Sequence, residues 1–262
     1  MDRPGPLKFW FLQDYQDASG QLVNKEKSSF VVGKHTSVGR TLHIENELKM
    51  KSAKLPIKYL GVPLHKGITR IAHCKELLEN FDNKLSSWKM KMLSQGGRLI
   101  LIKHVLNSIP LHVVSVTNIP VAVVNMINLM IANFFWGTRD NKPKYPWAKL
   151  KRLCKPTVNG GMGIRSITDI QKIHAMKVWW DFQKGQSIWT DLMQSRYGTR
   201  HLGEVKPTDS PSWRRICFIH EEAEVMVIRG PNSITWKHTK EGVFTTKSAY
   251  MALWQQGGQC II

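Results

Sequence analysis

The 262-residue chain carries 38 Lys and Arg against 19 Asp and Glu, a formal net charge of +19. An apolar fraction of 42% and ten tryptophans exclude a disordered polypeptide, and the length suits one large domain or two small ones. Cations in such excess point to nucleic acid first and to an anionic membrane surface second. Cys74, Cys154, Cys217 and Cys260 stand more than forty residues apart, which excludes zinc-type pairs and a disulfide scaffold and implies a reducing, intracellular setting. Met1–Trp10 has no signal-peptide pattern. The most apolar run, Ile119–Trp136, is interrupted by Asn125, Asn128 and Asn133 and reads as a buried helix, not a membrane span.

In chain order, apolar positions at Leu7, Phe11, Leu12 and Tyr15 predict a short helix stopped by Ser19-Gly20. Val23–Val32 reads as a strand, Ser37–Leu48 as a second short helix, and Leu55–Leu64 as one extended segment because Pro56 and Pro63 exclude a helix. From Ile71 the apolar steps Cys74, Leu78, Phe81, Leu85, Trp88 and Met92 predict the clearest helix in the chain. Leu99, Ile102, Val105 and Leu106 continue it beyond the pair Gly96-Gly97. Pro120 opens a helix with the stripe Val121, Val124, Ile127, Ile131, Phe134 and Phe135, which Gly137 ends. Arg139–Lys155 is a loop, and Gly160–Gly163 a turn. A helix capped by Ser166 and Asp169 follows, then helices at Ser187–Gly198 and Trp213–Glu224. Ser233–Thr246 predicts a hairpin turning at Glu241-Gly242, with a last helix through Ala249 and Leu253.

The strongest functional signal is the stretch Leu85–Ser115, an amphipathic helical pair whose polar positions hold cations. No acid occurs from Lys84 to Arg139, while Lys84, Lys89, Lys91, Arg98 and Lys103 do. Lysines on amphipathic helices are ordinarily a solvated face. A surface without competing carboxylates is nevertheless what phosphate neutralisation needs. Arg139–Lys155 repeats the pattern, with seven basic residues including Lys142 and Lys144 against Asp140. Within it Tyr145 and Trp147 either stack on bases or tie the loop to the core. Gly160–Gly163 lacks the following Lys-Ser/Thr of a phosphate loop and reads as a structural turn. Two-metal chemistry needs clustered carboxylates. Asp14, Asp17, Glu45 and Glu47 fall on predicted helices without pairing, so no metal or catalytic site is read from the residues.

Several motifs, in one order over most of the chain, give a resemblance. Tyr15 with Ser19-Gly20-Gln21, Val23–Ser28, Tyr59–Leu64, Leu85-Ser86 with Trp88, Gly97-Arg98, Phe134–Gly137, Gly160–Arg165, Trp236 and Lys247–Tyr250 are the matching residues. Through them the chain resembles the C-terminal part of plant non-LTR retrotransposon reverse transcriptases. The resemblance implies an α+β, mostly helical architecture. Residues 1–64 would be the end of a polymerase palm, 65–138 a helical thumb, 139–230 a basic loop and helical connector, and 231–262 the truncated start of a zinc-binding hairpin-helix.

It also implies that Tyr59, Leu60 and Gly61 support a primer end, and that Lys27 stands at a general-acid position. The family's aspartate pair and zinc ligands would both fall outside these 262 residues. Magnesium is therefore expected only for a complete family member, no cofactor is expected in this chain, and Lys27 is expected to be a plain surface lysine. The expected function is sequence-independent gripping of an RNA or DNA duplex through its backbone by a fragment without polymerase activity of its own. The expected surface comprises Tyr59, Leu60, Gly61, Lys84, Lys89, Lys91, Arg98, Lys103, Lys142, Lys144 and Trp147, with no membrane partner. The alternative expectation is a pseudogene-like product with no selected activity.

Overall fold

The computed structural model describes residues 10–89, 93–139, 142–143, 145–206, 208–231 and 233–256. Lys91 and Lys144 lie outside them, as do the side chains of Lys89 and Lys142. The described chain is α+β and mostly helical, its strands short and paired in four two-stranded ladders. It divides into two compact units, Met1–Tyr59 with Leu64–Lys66, and Leu60–Pro63 with Gly67–Ile262.

In the first unit, α1 (Trp10–Ser19) ends where the Ser19 hydroxyl donates to the Tyr15 carbonyl and Gly20 turns left-handed at φ 68°. The Tyr15 hydroxyl then reaches forward to the Gln21 side chain at 2.8 Å. β1 (Ser29–Phe30) is much shorter than the strand expected over Val23–Val32. The reason is local: Asn24 accepts from the Lys27 amide and, through its carbonyl, from the Ser28 hydroxyl, which folds this stretch into a turn. α2 (Val38–Leu48) is capped by the Ser37 hydroxyl, which accepts from the Arg40 amide. It crosses back so that β2 (Lys51–Ser52) pairs parallel to β1. α2 buries no residue, and Met50 is the one buried hydrophobic among the described residues of this unit. Val38 is 76% exposed, so the unit is a thin layer with one face unfilled.

β3 (Ile57–Tyr59) and β4 (Val62–Leu64) replace the single extended run expected over Leu55–Leu64. Leu60 and Gly61 both take positive φ, 48° and 84°, the pairing that a two-residue hairpin turn requires. A side chain at the second position would be strained, which explains the glycine.

In the second unit a single turn, Ile71–Cys74, leads into α3 (Lys75–Lys89), and α4 (Gln95–Leu101) runs into a π-turn at Ile102–Leu106. Gly96-Gly97 is not a hinge between helices. Both residues sit in the first turn of α4, with the Ser94 hydroxyl accepting from the Gly97 amide at 3.2 Å. α5 (Leu111–Val116) and α6 (Val121–Trp136) follow. Pro120 caps α6, and Gly137 ends it at φ 79°. Val121, placed in the apolar stripe by periodicity, is 76% exposed because it is the first helical residue and lies outside the packed turns.

β5 (Thr138–Arg139) pairs with β6 (Lys142–Pro143), and α7 (Leu150–Leu153) comes after. α8 (Ile167–Lys184) starts at Ser166, as its Ser-x-x-Asp pattern predicts. α9 (Ile188–Tyr197) and α10 (Pro211–Glu224) precede β7 (Val227–Arg229), β8 (Ile234–Trp236) and α11 (Thr246–Gln256). The terminal hairpin therefore turns one step earlier than expected. Val227–Arg229 pairs with Ile234–Trp236, and Glu241-Gly242 instead folds back so that the Trp236 amide donates to the Gly242 carbonyl.

Two apolar cores fill this unit. The first joins α3, the π-turn, α5, α6 and α7 around Phe81, Leu85, Ile102, Leu106, Ile127 and Phe135. The second joins α9, α10, the β7–β8 hairpin and α11 around Trp179, Trp213, Ile216 and Trp236. α8 belongs to both, giving Ile167 and Ile170 to one and Ile173 to Phe182 to the other. Each fully buried side chain of this size contributes about 1.5–3 kcal/mol. No helix among the described residues is long and apolar enough to cross a membrane.

A polar node closes the second core. The Arg200 guanidinium grips both Asp209 oxygens, at 2.7 and 3.1 Å, and lies over the stacked rings of Tyr197 and Trp213. Arg200, with the Lys206 amide, holds the Asp209 carboxyl below the usual carboxylate range. A depressed folded pKa stabilises the fold at neutral pH and loses that contribution as pH falls through it. Asp209→Asn is thus expected to lower the thermal midpoint at pH 7, with the gap to wild type closing in thermal melts taken below about pH 4. Limited proteolysis is expected to cut within residues 10–66 before it cuts the two-core unit, because so little of the first unit is buried.

Candidate nucleic-acid interface

Between Asp82 and Asp169 the chain has thirteen Lys and Arg against the single carboxylate of Asp140, so twelve of its nineteen net positive charges lie there. Three of the acids in the following segment are paired with cations close to them. Lys172 pairs with Glu222 at 2.8 Å, Arg200 with Asp209, and Arg229 with Glu224. Among the described residues, Lys84, Lys103, Lys149, Arg152 and Lys155 make no ion pair.

Lys84 is exposed on α3 and lines a surface hollow of about 380 Å3 with Asn80, Asn83, Ser87 and Ile109. Amide and hydroxyl groups beside an unpaired ammonium suit a sugar-phosphate backbone. Arg98 is half-buried. Its guanidinium donates to the Phe134 carbonyl at 3.3 Å and occupies the place where a side chain on Gly137 would stand. It therefore satisfies the last turn of α6 and neutralises the negative end of that helix. Lys103 is also half-buried, and its Nζ lies 3.5 Å from the Cβ that Gly163 lacks. Arg98 and Lys103, five residues apart or about 7.5 Å along a helix, thus sit against the two ends of the segment 138–163.

That segment is sealed at its far end by backbone. The amides of Gly161, Met162 and Gly163 donate to the carbonyls of Pro156, Leu153 and Lys155. Gly161 has no room for a Cβ against the Lys155 backbone, which explains the glycine. With these three amides committed, the turn has none of them left to cradle a phosphate, as its sequence also implied. Lys149, Lys151, Arg152 and Lys155 are exposed around α7. Tyr145 and Trp147 are 90% and 91% exposed, and Ala148 and Leu150 beside them pack on the first core. The anchoring role is theirs, and the aromatics face water. The four cations were counted in the sequence but not singled out, and only their exposure distinguishes them.

Of the expected primer-end residues, Tyr59 and Leu60 are 61% and 74% exposed. The Leu60 carbonyl accepts from the His112 ring on α5, and Gly61 packs on the same ring. Lys27 is exposed in its turn, where its amide donates to the Asn24 side chain. Burial and the charge of Asp169 push the Cys154 thiol up to about 12, which keeps it protonated at neutral pH. Among the described residues no three His, Cys, Asp or Glu side chains gather as a metal site requires.

No family model matches the chain. A protein of Arabidopsis thaliana provisionally named a ribonuclease H protein is 33% identical over 152 residues, covering 55% of this chain and 24% of that protein. The chain thus spans about a quarter of the length of this plant relative.

The geometry separates the two kinds of cation. Arg98→Ala is expected to cost about 1 kcal/mol of stability, read as a thermal midpoint about 2–4 °C lower. Lys84→Ala, whose side chain touches no core, is expected to leave the midpoint unchanged.

Proposed function

We propose that this chain is part of a retroelement protein of the reverse transcriptase type and that its own work is to grip a nucleic-acid duplex by its phosphates. The single observation that carries this reading is the run of thirteen cations against one carboxylate between Asp82 and Asp169. Among its described members, Lys84, Arg98, Lys103, Lys151 and Arg152 stand on helical turns that contribute to one core. Lys84, Lys149, Lys151, Arg152 and Lys155 supply the phosphate contacts. Backbone contacts of this kind fix a protein on a duplex without reading its bases, which suits a protein that handles any sequence. The exposed Leu60-Gly61 tip is the place where the family resemblance puts support of a primer end. The plant relative's name, a ribonuclease H protein, belongs with the same class of nucleic-acid substrate. The paired aspartates that would hold magnesium in the family the chain resembles are not among the motifs matched here, and the segment described above would contribute the grip.

The thin first unit, with Met50 as its one buried hydrophobic among the described residues, favours a second reading in which the isolated chain has no selected activity.

The two readings separate on binding. The first expects affinity for a random-sequence duplex to fall steeply with salt, log Kd changing by about 0.9 per phosphate neutralised for each tenfold in salt. Lys84→Glu/Lys149→Glu/Lys151→Glu is expected to flatten that slope by about three contacts and to weaken binding equally for all sequences. A wild-type chain that binds no better than this triple variant at low salt would overturn the grip.

A further inference from the structure

We infer that the loop bearing Tyr145 and Trp147 is a stacking platform for unpaired bases, so that the chain prefers a duplex that continues into a single strand over a blunt duplex. The inference rests on the duplex grip proposed above and adds a second ligand element to it. Trp147 and Tyr145 are the two most exposed aromatic side chains described, at 91% and 90%. A loop that leaves two such rings in water forgoes a large apolar burial. The exposure does not arise from a loose attachment. Ala148 and Leu150, alternating with Trp147 and Lys149, pack on the first core, so the chain dips inward immediately after the tryptophan. Farther out, Arg98 lies against Gly137 before the loop and Lys103 against Gly163 after it. Pro146 stands between the two rings, fixing its own φ and keeping Tyr145 out of the helical region. A short, stiff, anchored segment loses little entropy when a ligand stacks on it.

The chemistry of the occupant follows from what surrounds the rings. Exposed Lys149, Lys151 and Arg152 come directly after Trp147. Lys149 and Arg152 make no ion pair, and an aromatic face bordered by such cations fits a ligand that alternates flat π-faces with phosphates. Inside a duplex the base faces are already covered by their neighbours, so beyond the outer face of each end pair only unpaired bases present a free face.

The test measures binding of the full chain to three ligands: a blunt duplex, the same duplex with a short unpaired extension, and the same duplex with an extension of abasic sugar-phosphate. Wild type is expected to bind the base-carrying extension about tenfold more tightly than the other two. Trp147→Ala is expected to remove that preference while leaving blunt-duplex affinity, salt slope and thermal midpoint unchanged. Trp147→Phe is expected to restore most of it, because a flat ring remains. Equal wild-type affinity for base-carrying and abasic extensions would overturn the platform, as would a Trp147→Ala loss that is the same on the blunt duplex. Failure of wild type to bind blunt duplex at low salt counts against the grip itself and is read separately from the extension series.

Discussion

Helix α8 is the element on which the described fold of the larger unit depends, because two apolar cores are built against one continuous rod. Ile167 and Ile170 close the first core, and Ile173, Met176, Trp179 and Phe182 form the spine of the second. The connection is reinforced by a buried cation. Arg215 on α10 is 2% exposed and donates to the carbonyls of Ser115 and Val114 at 2.9 and 3.0 Å, the last turn of α5. A guanidinium taken out of water costs several kcal/mol unless it meets negative charge. Here the unsatisfied carbonyls and the dipole of a helix C-terminus supply that charge without a carboxylate. Burial lowers its pKa only to about 10, so it stays charged at neutral pH. Arg98 repeats the arrangement at the end of α6. Twice, then, a cation in this chain ends a helix instead of facing solvent.

This distribution decides what remains for a ligand. Three acids of the α8–β7 segment pair with cations of the same segment: Glu222 with Lys172, Asp209 with Arg200 and Glu224 with Arg229. The cations between Asp82 and Asp169 have Asp140 as their only acid in sequence, and two of them, Arg98 and Lys103, are turned to positioning the loop that follows. What is left exposed is a set of ammonium and guanidinium groups on α3 and around α7, with two bare aromatic rings between them. On the reading proposed above, the function would be carried by this surface. The cavity of about 460 Å3 near Thr117, Gln171 and Phe218 offers no catalytic grouping, and its Lys172 is already paired.

Much of this was legible from residue order. Steps of three and four placed α3, α6 and α8, and the Ser166 and Pro120 signals placed two of their starts within a residue. Short extended pieces were harder. The Val23–Val32 strand gave way to a turn because Asn24 offers its own oxygens to the backbone, a competition that hydrophobic pattern does not record. The terminal hairpin was displaced because Glu241-Gly242 is a turn, but one that closes on Trp236 instead of joining two strands. Gly96-Gly97 looked like a break, yet glycines in a capped first turn cost little helix.

For the site, sequence by itself determined the sign and density of charge, the absence of acids across Lys84–Arg139 and the order of motifs that gives the family resemblance. Those are properties of composition along the chain and need no coordinates. Tertiary structure decided which cations are free. Arg98, Lys103 and Lys84 look alike in an amphipathic pattern, but only packing against Gly137 and Gly163 shows that the first two hold a loop in place. It likewise decided that Trp147 does not anchor the loop, since its ring stands exposed while Ala148 and Leu150 pack on the core.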